Sequence, residues 1–413
     1  MSDTSLSLSE RIEQHLMRAV PENVRTKARL HLLDWMGCVA GARDSAVGHA
    51  QRAMVQTAPI RAALLGNVLE MDDVHRAAIL HPGPVIWPTV LGDAEQGMEA
   101  VLDAAVRGYE ATIAIGATFD AAHYACWHNT TTAGVFGAAA AVSSLFGLDE
   151  AQTVSALGLA GSVTGGLWQT RHEPQMAKQW HIAHAAQTGA TAAWHAANGI
   201  TGPRFILEGP QGIYAATCKA PKPLVLGEGW RIDEVSFKPW GACRHAHPAI
   251  DAALALRARG TLDFPIVVET FADALAFCDR PDPRTVNEAK FSLQHAVAVV
   301  AVRGVPTLED FEPDAIAALA DARALVSVRE DNAITARYPD HFGATVIAGG
   351  DREALVDTLG DPERPLSRDG VIAKARALMA WGGLDPAQIE RGVTLALDSN
   401  DAEGVVGWLE EIL

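Results

Sequence analysis

The chain has 413 residues, of which 49% are hydrophobic, and its 33 basic and 50 acidic side chains give a formal charge of −17. This length predicts two domains. The negative charge argues against nucleic acid and anionic membranes as partners, because both are negatively charged themselves. Five widely spaced cysteines without a C-x-x-C pair, together with a polar N-terminus, favour a cytoplasmic protein with free thiols.

The first half of the chain, residues 8–234, predicts mostly helices. Apolar residues recur at helical spacing over 24–42, and an Ala/Gly-rich helix is expected over 131–147. Asp149 is a natural N-cap for a helix over 148–162. A long helix over 177–199 should end at its final glycine. Several of these helices lack a clear polar face, which indicates burial in a large helical domain.

The pattern changes near residue 235. "FPIVVETFA", "ARALVSVRED" and "HFGATVIAGG" alternate and contain β-branched residues, so each predicts a strand. We therefore expect a second, mixed α and β domain over 235–362. Residues 369–413 return to a helical pattern.

The segment "LEMDDVHRAAILHPGP" (69–84) concentrates three carboxylates and two histidines: Glu70, Asp72, Asp73, His75 and His81. Three interpretations remain open. The segment could bind a metal, although its spacing fits no metal motif with a clear mechanism. It could cap a helix and start a turn. It could also be an acid–base or substrate-binding loop.

A second cluster precedes the Ala/Gly-rich helix. In "HYACWHNTTTAGVFG", Tyr124 and His128 lead into three threonines, of which Thr131 is the central one. The positive end of a helix favours a carboxylate, and the hydroxyls could donate to it, although the same threonines could simply cap the helix. In "AKQWHIAHA", Lys178 and His181 are three residues apart and share one helix face, which makes Lys178 a candidate base.

Two further candidates lie in the second domain. "FKPWGACRHAHPAID" contains Lys238, Cys243 and Arg244 followed by an H-x-H pair. The two cations could hold an anion; a zinc site or a cysteine nucleophile is a weaker hypothesis, because neither has its partners in the sequence. In "AKFSLQHAVAVV", His295 starts a very apolar helix and on these grounds alone would be a buried core histidine.

Taken in order, these segments resemble the MmgE/PrpD family, which includes 2-methylcitrate dehydratase, cis-aconitate decarboxylase and iminodisuccinate epimerase. The resemblance covers most of the chain and rests on the stretches "LLDWMGCVAGA", "GNVLEMDDVHRAAILHPGPVIWPTVL", "HYACWHNTTTAGVFGAAAAVSSLFGLDE", "ALGLAGSVTGGL", "AKQWHIAHAAQTGATAAWHAANGITGP", "FKPWGACRHAHPAIDA", "KFSLQHAVAV" and "LGDPERPLSRD".

The resemblance implies a mainly α fold. Its large all-helical domain would be built from both chain ends, 1–234 and 363–413, with a smaller α+β lid domain over 235–362. It also implies a homodimer, an active site between the domains, and no metal or organic cofactor.

The resemblance also implies site residues. The catalytic ones would be Glu70, His81, Tyr124, His128 and Lys178. Lys238 and His295 are likewise carried over by position as substrate-binding residues, whereas Asp73, Thr131, His181, Cys243 and Arg244 are predicted to bind substrate from the motifs in which they lie. Five positions depart from the family pattern: Glu70 replaces Asp, Val74 replaces Thr, "HNTTT" replaces "HPTGT" at two positions, and His295 replaces Tyr. The region between "GARD" and "GNVLE" is also shorter than usual.

The expected substrate is a small di- or tricarboxylate that loses a proton next to a carboxylate. Dehydration is the leading prediction, because it is the best-known activity of the family. Epimerisation, with Tyr124 and Lys178 as opposed acid–base groups, and decarboxylation are the alternatives. From another class, a zinc or magnesium hydrolase could use His75, His81, His245 and His247.

Overall fold

A computed structural model describes residues 6–171, 173 and 175–413. The chain is 57% helical and contains one small four-stranded sheet in its described part. The prediction of a mainly α fold with a smaller α+β part is therefore confirmed. Within the described residues, no helix is both long enough and apolar enough to cross a bilayer.

The helices and strands follow one another in three stretches. Residues 6–235 form α1 (Leu8–Leu16), α2 (Glu22–Gly41), α3 (Ala46–Gln51), α4 (Ala58–Ala63), α5 (Gly83–Leu91), α6 (Met98–Gly116), α7 (Ala121–Cys126), α8 (Asn129–Leu145), α9 (Glu150–Ser162), α10 (Ala177–Ala197) and α11 (Ile213–Thr217). Residues 236–366 form α12 (His247–Ala258), β1 (Ile266–Thr270), α13 (Ala272–Cys278), α14 (Val286–Lys290), α15 (Leu293–Val302), α16 (Pro313–Ala318), α17 (Ala320–Arg323), β2 (Val326–Glu330), α18 (Asn332–Thr335), β3 (Ala344–Ala348) and β4 (Asp351–Leu355). The C-terminal stretch forms α19 (Arg368–Trp381), α20 (Pro386–Leu397) and α21 (Ala402–Ile412).

The chain divides into two compact units. The first contains residues 1–68, 72–235 and 367–413, and the second contains 69–71 and 236–366. The short piece 69–71 thus belongs to the second unit, whereas the chain on either side of it belongs to the first.

Small residues allow α8 to pack closely between α6 and α10 in the first unit. A Cβ built on Gly137 of α8 would lie 1.8 Å from the Thr112 hydroxyl oxygen of α6. A Cβ on Gly189 of α10 would lie 2.4 Å from the Cβ of Ala138. A larger side chain at either glycine would push the helices apart, so the Ala/Gly composition of α8 determines their spacing.

The two ends of the chain meet in the first unit, where α19 packs on α2. A buried ion pair joins Lys374 Nζ to Asp34 Oδ1 at 2.6 Å. Burial raises the pKa of Asp34 to about 6 despite the lysine. Breaking such a pair from one side is costly, because the remaining charge stays buried without compensation.

The sheet of the second unit has the order β2-β1-β3-β4. β1 pairs parallel with β2 and antiparallel with β3, which in turn forms a hairpin with β4. Val268 of β1 pairs with Val328 and Val346, and its side chain is fully buried. Three of these strands match the predicted segments; β4 was not predicted.

Candidate active site

The N-terminus of α8 organises the site in the first unit. His128 is its N-cap residue, and the His128 carbonyl accepts hydrogen bonds from the backbone N–H groups of Thr131 and Thr132 at 2.9 and 3.0 Å. The hydroxyls of both threonines donate to the same carbonyl at 3.1 Å. The N-cap residue is His128 and no side chain of the described residues accepts a capping hydrogen bond there, so the predicted capping by threonines is wrong; their hydroxyls bond back to the N-cap carbonyl instead.

A loop before α10 closes against this helix end. The backbone N–H of His128 donates to the Gly166 carbonyl at 2.8 Å, and the Thr131 hydroxyl donates to the Gly165 carbonyl at 2.9 Å. Gly166 has φ +106°, and a Cβ on it would lie 2.3 Å from the Thr131 hydroxyl oxygen. Glycine is therefore required at position 166 for both conformation and space.

Aromatic rings surround His128. Its ring centroid lies 4.3 Å from that of Trp168 and 5.9 Å from that of His181. Tyr124 meets Trp168 edge-on, with 6.2 Å between the ring centroids. Three of the predicted site residues are thus connected by ring contacts, and Trp168, which was not predicted, is the ring that joins Tyr124 to His128.

The first turns of α10 carry Lys178 and His181. Lys178 is half-buried and lies one turn before His181, as the spacing predicted. Burial lowers the pKa of His181, which favours its neutral form. Among the described residues, its Nδ1 atom is buried and has no hydrogen-bond partner. This nitrogen is available to a bound molecule.

A cavity of about 320 Å³ lies between α8 and α10, and this size suits a small molecule. It is lined by Thr131, Val135, Gly165, Gly166, Leu167, Trp180, His181, His184 and Ala185. Two predicted substrate-binding residues, Thr131 and His181, are therefore exposed to one space.

The loop 72–81 joins the same helix end. The backbone N–H of His81 donates to the Thr130 hydroxyl at 3.1 Å. Its ring Nδ1 lies 2.9 Å from Asp72 Oδ2. The loop thus presents His81 beside the first turn of α8.

Asp73 points away into the core of the first unit. Its Oδ2 accepts a hydrogen bond from the Tyr109 hydroxyl at 2.6 Å and lies 2.8 Å from His31 Nδ1. Its Oδ1 accepts from the Gly83 backbone at 3.0 Å. These three bonds give Asp73 a role in holding the loop to α2, α5 and α6, and its predicted substrate contact remains untested.

Glu70 and Lys238 form a pair within the second unit. The lysine Nζ lies 3.8 Å from Glu70 Oε2, and the Lys238 side chain is 0% exposed. Glu70 has φ +57°, an uncommon conformation for a residue other than glycine. Strain of this kind is concentrated at functional positions, and here it fixes the backbone that carries the carboxylate.

Cys243 and Arg244 follow on the same segment. Cys243 is buried next to Cys278, whose pKa is raised by burial. Arg244 Nη2 donates to Asp361, while its Nε and Nη1 have no hydrogen-bond partner among the described residues. Arg244 thus has both a carboxylate partner and two N–H groups that an anion could use.

His295 is fully buried in the second unit. Its Nε2 lies 2.8 Å from the Asp310 carbonyl, and its Nδ1 lies 3.3 Å from Arg323 Nη1. Burial, the largest influence, lowers its pKa to about 4. Because both ring nitrogens are bonded, this geometry fits the core-histidine interpretation better than the substrate contact implied by the resemblance.

Three of the four histidines in the hydrolase hypothesis already contact other groups of the protein. His75 Nε2 lies 3.1 Å from Glu234, and its Nδ1 accepts from the Ala78 backbone. His247 Nε2 lies 3.0 Å from the Ala242 carbonyl, and His245 is stacked between Phe277 and Phe342. The cluster of potential metal ligands found in the described chain is a different one: His341, Asp357 and Glu363.

Comparison with known proteins matches two consecutive family domains to this chain. Residues 45–225 match the MmgE/PrpD N-terminal domain, and residues 240–399 match the MmgE/PrpD C-terminal domain. The chain belongs to the MmgE/PrpD family.

Three relatives give the range of similarity. The chain is 24% identical to the cis-aconitate decarboxylase-like protein oryM of Aspergillus oryzae, over 90% of this chain and 89% of that protein. It is 26% identical to human cis-aconitate decarboxylase over 45% of this chain and 40% of the relative. It is 23% identical to cis-aconitate decarboxylase of Aspergillus terreus, over 58% of this chain and 57% of that protein.

Proposed function

We propose that this protein is a lyase that forms a carbanion next to a carboxylate of a small di- or tricarboxylate. The observation that supports this most directly is the meeting of His128, Thr131 and His181 at the positive end of α8, with a cavity of about 320 Å³ beside them. A helix N-terminus attracts a carboxylate, and the neighbouring histidines can move protons. The relatives named above are cis-aconitate decarboxylases or similar to them.

Decarboxylation and dehydration share this carbanion. In decarboxylation the C–C bond to the leaving carboxylate breaks, CO₂ departs, and the electron pair stays on carbon until an acid protonates it. In dehydration a base takes the C–H proton, the electron pair stays on carbon as the carbanion, and it then forms the new double bond as the protonated β-hydroxyl leaves as water. Both need donors around the developing charge. We place decarboxylation of a cis-aconitate-like acid first, because the relatives' names support it, and 2-methylcitrate-type dehydration second.

Epimerisation is supported by one further observation. Tyr124 contacts Trp168, which packs on His128, whereas Lys178 lies one turn from His181, whose ring is 5.9 Å from that of His128. Two acid–base groups on opposite sides of one substrate carbon could remove a proton from one face and return it to the other.

A single experiment separates the three reactions. The purified protein is incubated with cis-aconitate, 2-methylcitrate and a panel of hydroxy- and amino-dicarboxylates in deuterated water. CO₂ release with one deuteron gained indicates a decarboxylase, loss of water a dehydratase, and exchange at the α-carbon without net loss an epimerase. Absence of exchange and of product for every acid would contradict the proposal.

We further propose that the protein is a homodimer that associates through the exposed side of α10. This α10 face consists of Trp180, His184, Thr188, Thr191 and Trp194, and it has no formally charged residue apart from its histidine. Trp180 and Trp194 are 58% and 45% exposed. Large exposed aromatic side chains in such a stripe are typical of an interface.

The charge distribution favours a second copy of the chain as the partner that covers the α10 face. Copies carrying a charge of −17 repel each other, and a two-fold interface brings each patch against itself. An uncharged face is where this repulsion is weakest. Next to it, a second apolar cavity of about 380 Å³ is lined by Trp180, Met54, Val55, Leu64, Ala183 and Gln187.

Light scattering after gel filtration tests the dimer. The wild-type protein should have twice the chain mass at micromolar concentration, and Trp194→Glu should shift it to the monomer. Val305→Glu, at an exposed valine in the second unit, is the matched control and should leave the mass unchanged. A monomeric wild-type protein, or a dimeric Trp194→Glu variant, would contradict this interface.

A further inference from the structure

The ring of His81 is held at one nitrogen by two acceptors. Its Nδ1 lies 2.9 Å from Asp72 Oδ2 and 3.1 Å from the backbone carbonyl of Asp73. Neither oxygen can donate when the carboxylate is ionised, so Nδ1 must carry the hydrogen. Within the described chain, the polar contacts of the His81 ring all use Nδ1. The Nε2 lone pair points away from these contacts.

Asp72 is built into the structure as a buried acceptor. Its side chain is 1% exposed, and both of its oxygens accept hydrogen bonds from Asn67 Nδ2 at 2.7 Å. These bonds compensate for the loss of water around the carboxylate and fix its orientation. A buried aspartate with this support is poised to orient a histidine.

The backbone around His81 is equally constrained. The His81 N–H donates to the Thr130 hydroxyl, and the residue before it, Leu80, forms a bridge with His75 through bonds of 2.8 and 3.3 Å. Ile79 has φ +52°, which is rare for a β-branched residue. The surrounding contacts therefore impose a strained turn that places the ring.

We propose that Asp72 is the positioning residue of an Asp72–His81 dyad, in which His81 acts as an acid–base group through Nε2. This inference rests on the proposed function. In decarboxylation the C–C bond to the leaving carboxylate breaks, CO₂ departs, and the protonated ring donates its Nε2 proton to the carbanion. In dehydration or epimerisation the Nε2 lone pair takes the proton from the substrate carbon, and the C–H electron pair stays on the substrate as the carbanion. Asp72 stabilises the imidazolium that results and keeps the ring in the Nδ1–H tautomer. The proton is later returned from Nε2 to carbon or to the departing hydroxyl.

Other titratable groups near the dyad have their own partners. Asp73 is bonded to His31 and Tyr109, Asp34 to Lys374, and His75 to Glu234. Asp72 is therefore the carboxylate that directly contacts the His81 ring. If Asp72 only held the loop, its replacement would affect stability but not the His81 tautomer.

Nitrogen NMR of histidine-labelled protein tests the dyad without any substrate. The His81 signal is assigned by its loss in His81→Gln. The wild-type ring should be the Nδ1–H tautomer when neutral, and Asp72→Asn should increase the population of the Nε2–H tautomer, because it removes the carboxylate that accepts from Nδ1. Asp93→Asn, at another buried aspartate of the same unit, should leave the His81 tautomer unchanged.

Kinetics add a second arm. Asp72→Asn should lower kcat about 10- to 100-fold, while KM stays within a few-fold. A wild-type Nε2–H tautomer, or an unchanged tautomer population in a folded Asp72→Asn variant, would overturn the dyad. If that variant fails to fold, the wild-type tautomer still decides. A dyad confirmed by NMR without turnover of any carboxylate would instead contradict the proposed function.

Discussion

The ring of Trp168 packs on that of His128 at 4.3 Å and meets Tyr124 edge-on at 6.2 Å, so one indole orients two candidate catalytic side chains. Both contacts come from the short helical turn Trp168–Arg171. That turn directly follows the glycines whose backbone bonds to the start of α8. A change in the position of this loop would therefore move the indole and, with it, the rings of His128 and Tyr124.

Replacing the indole should reduce turnover more than stability. Trp168→Ala removes the surface against which both rings rest, and displacement of a catalytic group by about 1 Å can cost about 100-fold in rate. We expect kcat to fall at least tenfold, with partial recovery in Trp168→Phe, which keeps an aromatic face. Steady-state kinetics of both variants check this; equal activity of the alanine and wild-type proteins would contradict it.

Lys178→Ala should abolish turnover and leave the fold intact. The side chain is half-buried at the start of α10, so its truncation creates little cavity, whereas loss of a proton-transfer group costs about 100- to 10,000-fold. Lys219→Ala, at an exposed lysine of the same unit, is the control and should behave as wild type. Rates and thermal midpoints decide the matter, and an active Lys178→Ala enzyme would remove this residue from the mechanism.

The adjacent glycines 165 and 166 form a matched pair. Gly166→Ala places a Cβ 2.3 Å from the Thr131 hydroxyl oxygen at φ +106°, whereas a Cβ on Gly165 meets nothing within 4 Å. Gly166→Ala should lower the free energy of unfolding by about 1–3 kcal/mol and disturb the site. Gly165→Ala should be close to neutral. Urea denaturation compares the two; similar stabilities would mean that the loop relaxes freely.

Acid should destabilise the second unit through His295. Its folded-state pKa is about 4, whereas an unfolded histidine has a pKa of about 6.5, so the unfolded chain binds more protons between these values. The contribution of neutral His295 is present above pH about 6.5 and declines as the pH falls toward 4, by up to about 3 kcal/mol. His295→Gln should therefore flatten this part of the stability–pH curve. Denaturation across this range tests it, and an unchanged slope would contradict the assignment.

Chelation should leave activity intact. The ring nitrogens of His75 and Nε2 of His247 are already bonded within the protein, which leaves the hydrolase hypothesis without two of its ligands. After dialysis against a chelator, turnover of the identified carboxylate should be unchanged. Stoichiometric metal in the purified protein, together with loss of activity on its removal, would restore that hypothesis.

Regular patterns made much of the fold predictable. The helical spacing over 24–42 corresponds to α2, and Asp149 does cap α9 in a capping box with Gln152. β4 could not be predicted, because "DREAL" has neither β-branched residues nor an apolar alternation, and it pairs only because β3 offers its edge. Its strand conformation results from tertiary pairing rather than from propensity.

The site was harder to predict where partners are distant in the sequence. Arg244 and Asp361 are 117 positions apart, and Asp73 reaches His31 and Tyr109 on two other helices. Asp72 and Asp73 are adjacent and chemically identical, yet one meets His81 and the other points into the core. The direction of the backbone in the loop decides which aspartate faces His81, and this direction cannot be predicted from the amino-acid composition.

The junction of α2 with α19 has a consequence for biosynthesis. A nascent chain that has emerged from the ribosome only as far as α18 has all of the second unit's helices, but its α2 still lacks Lys374 opposite Asp34. During synthesis the Asp34 side of α2 therefore lacks its α19 partner until the whole second unit has been translated.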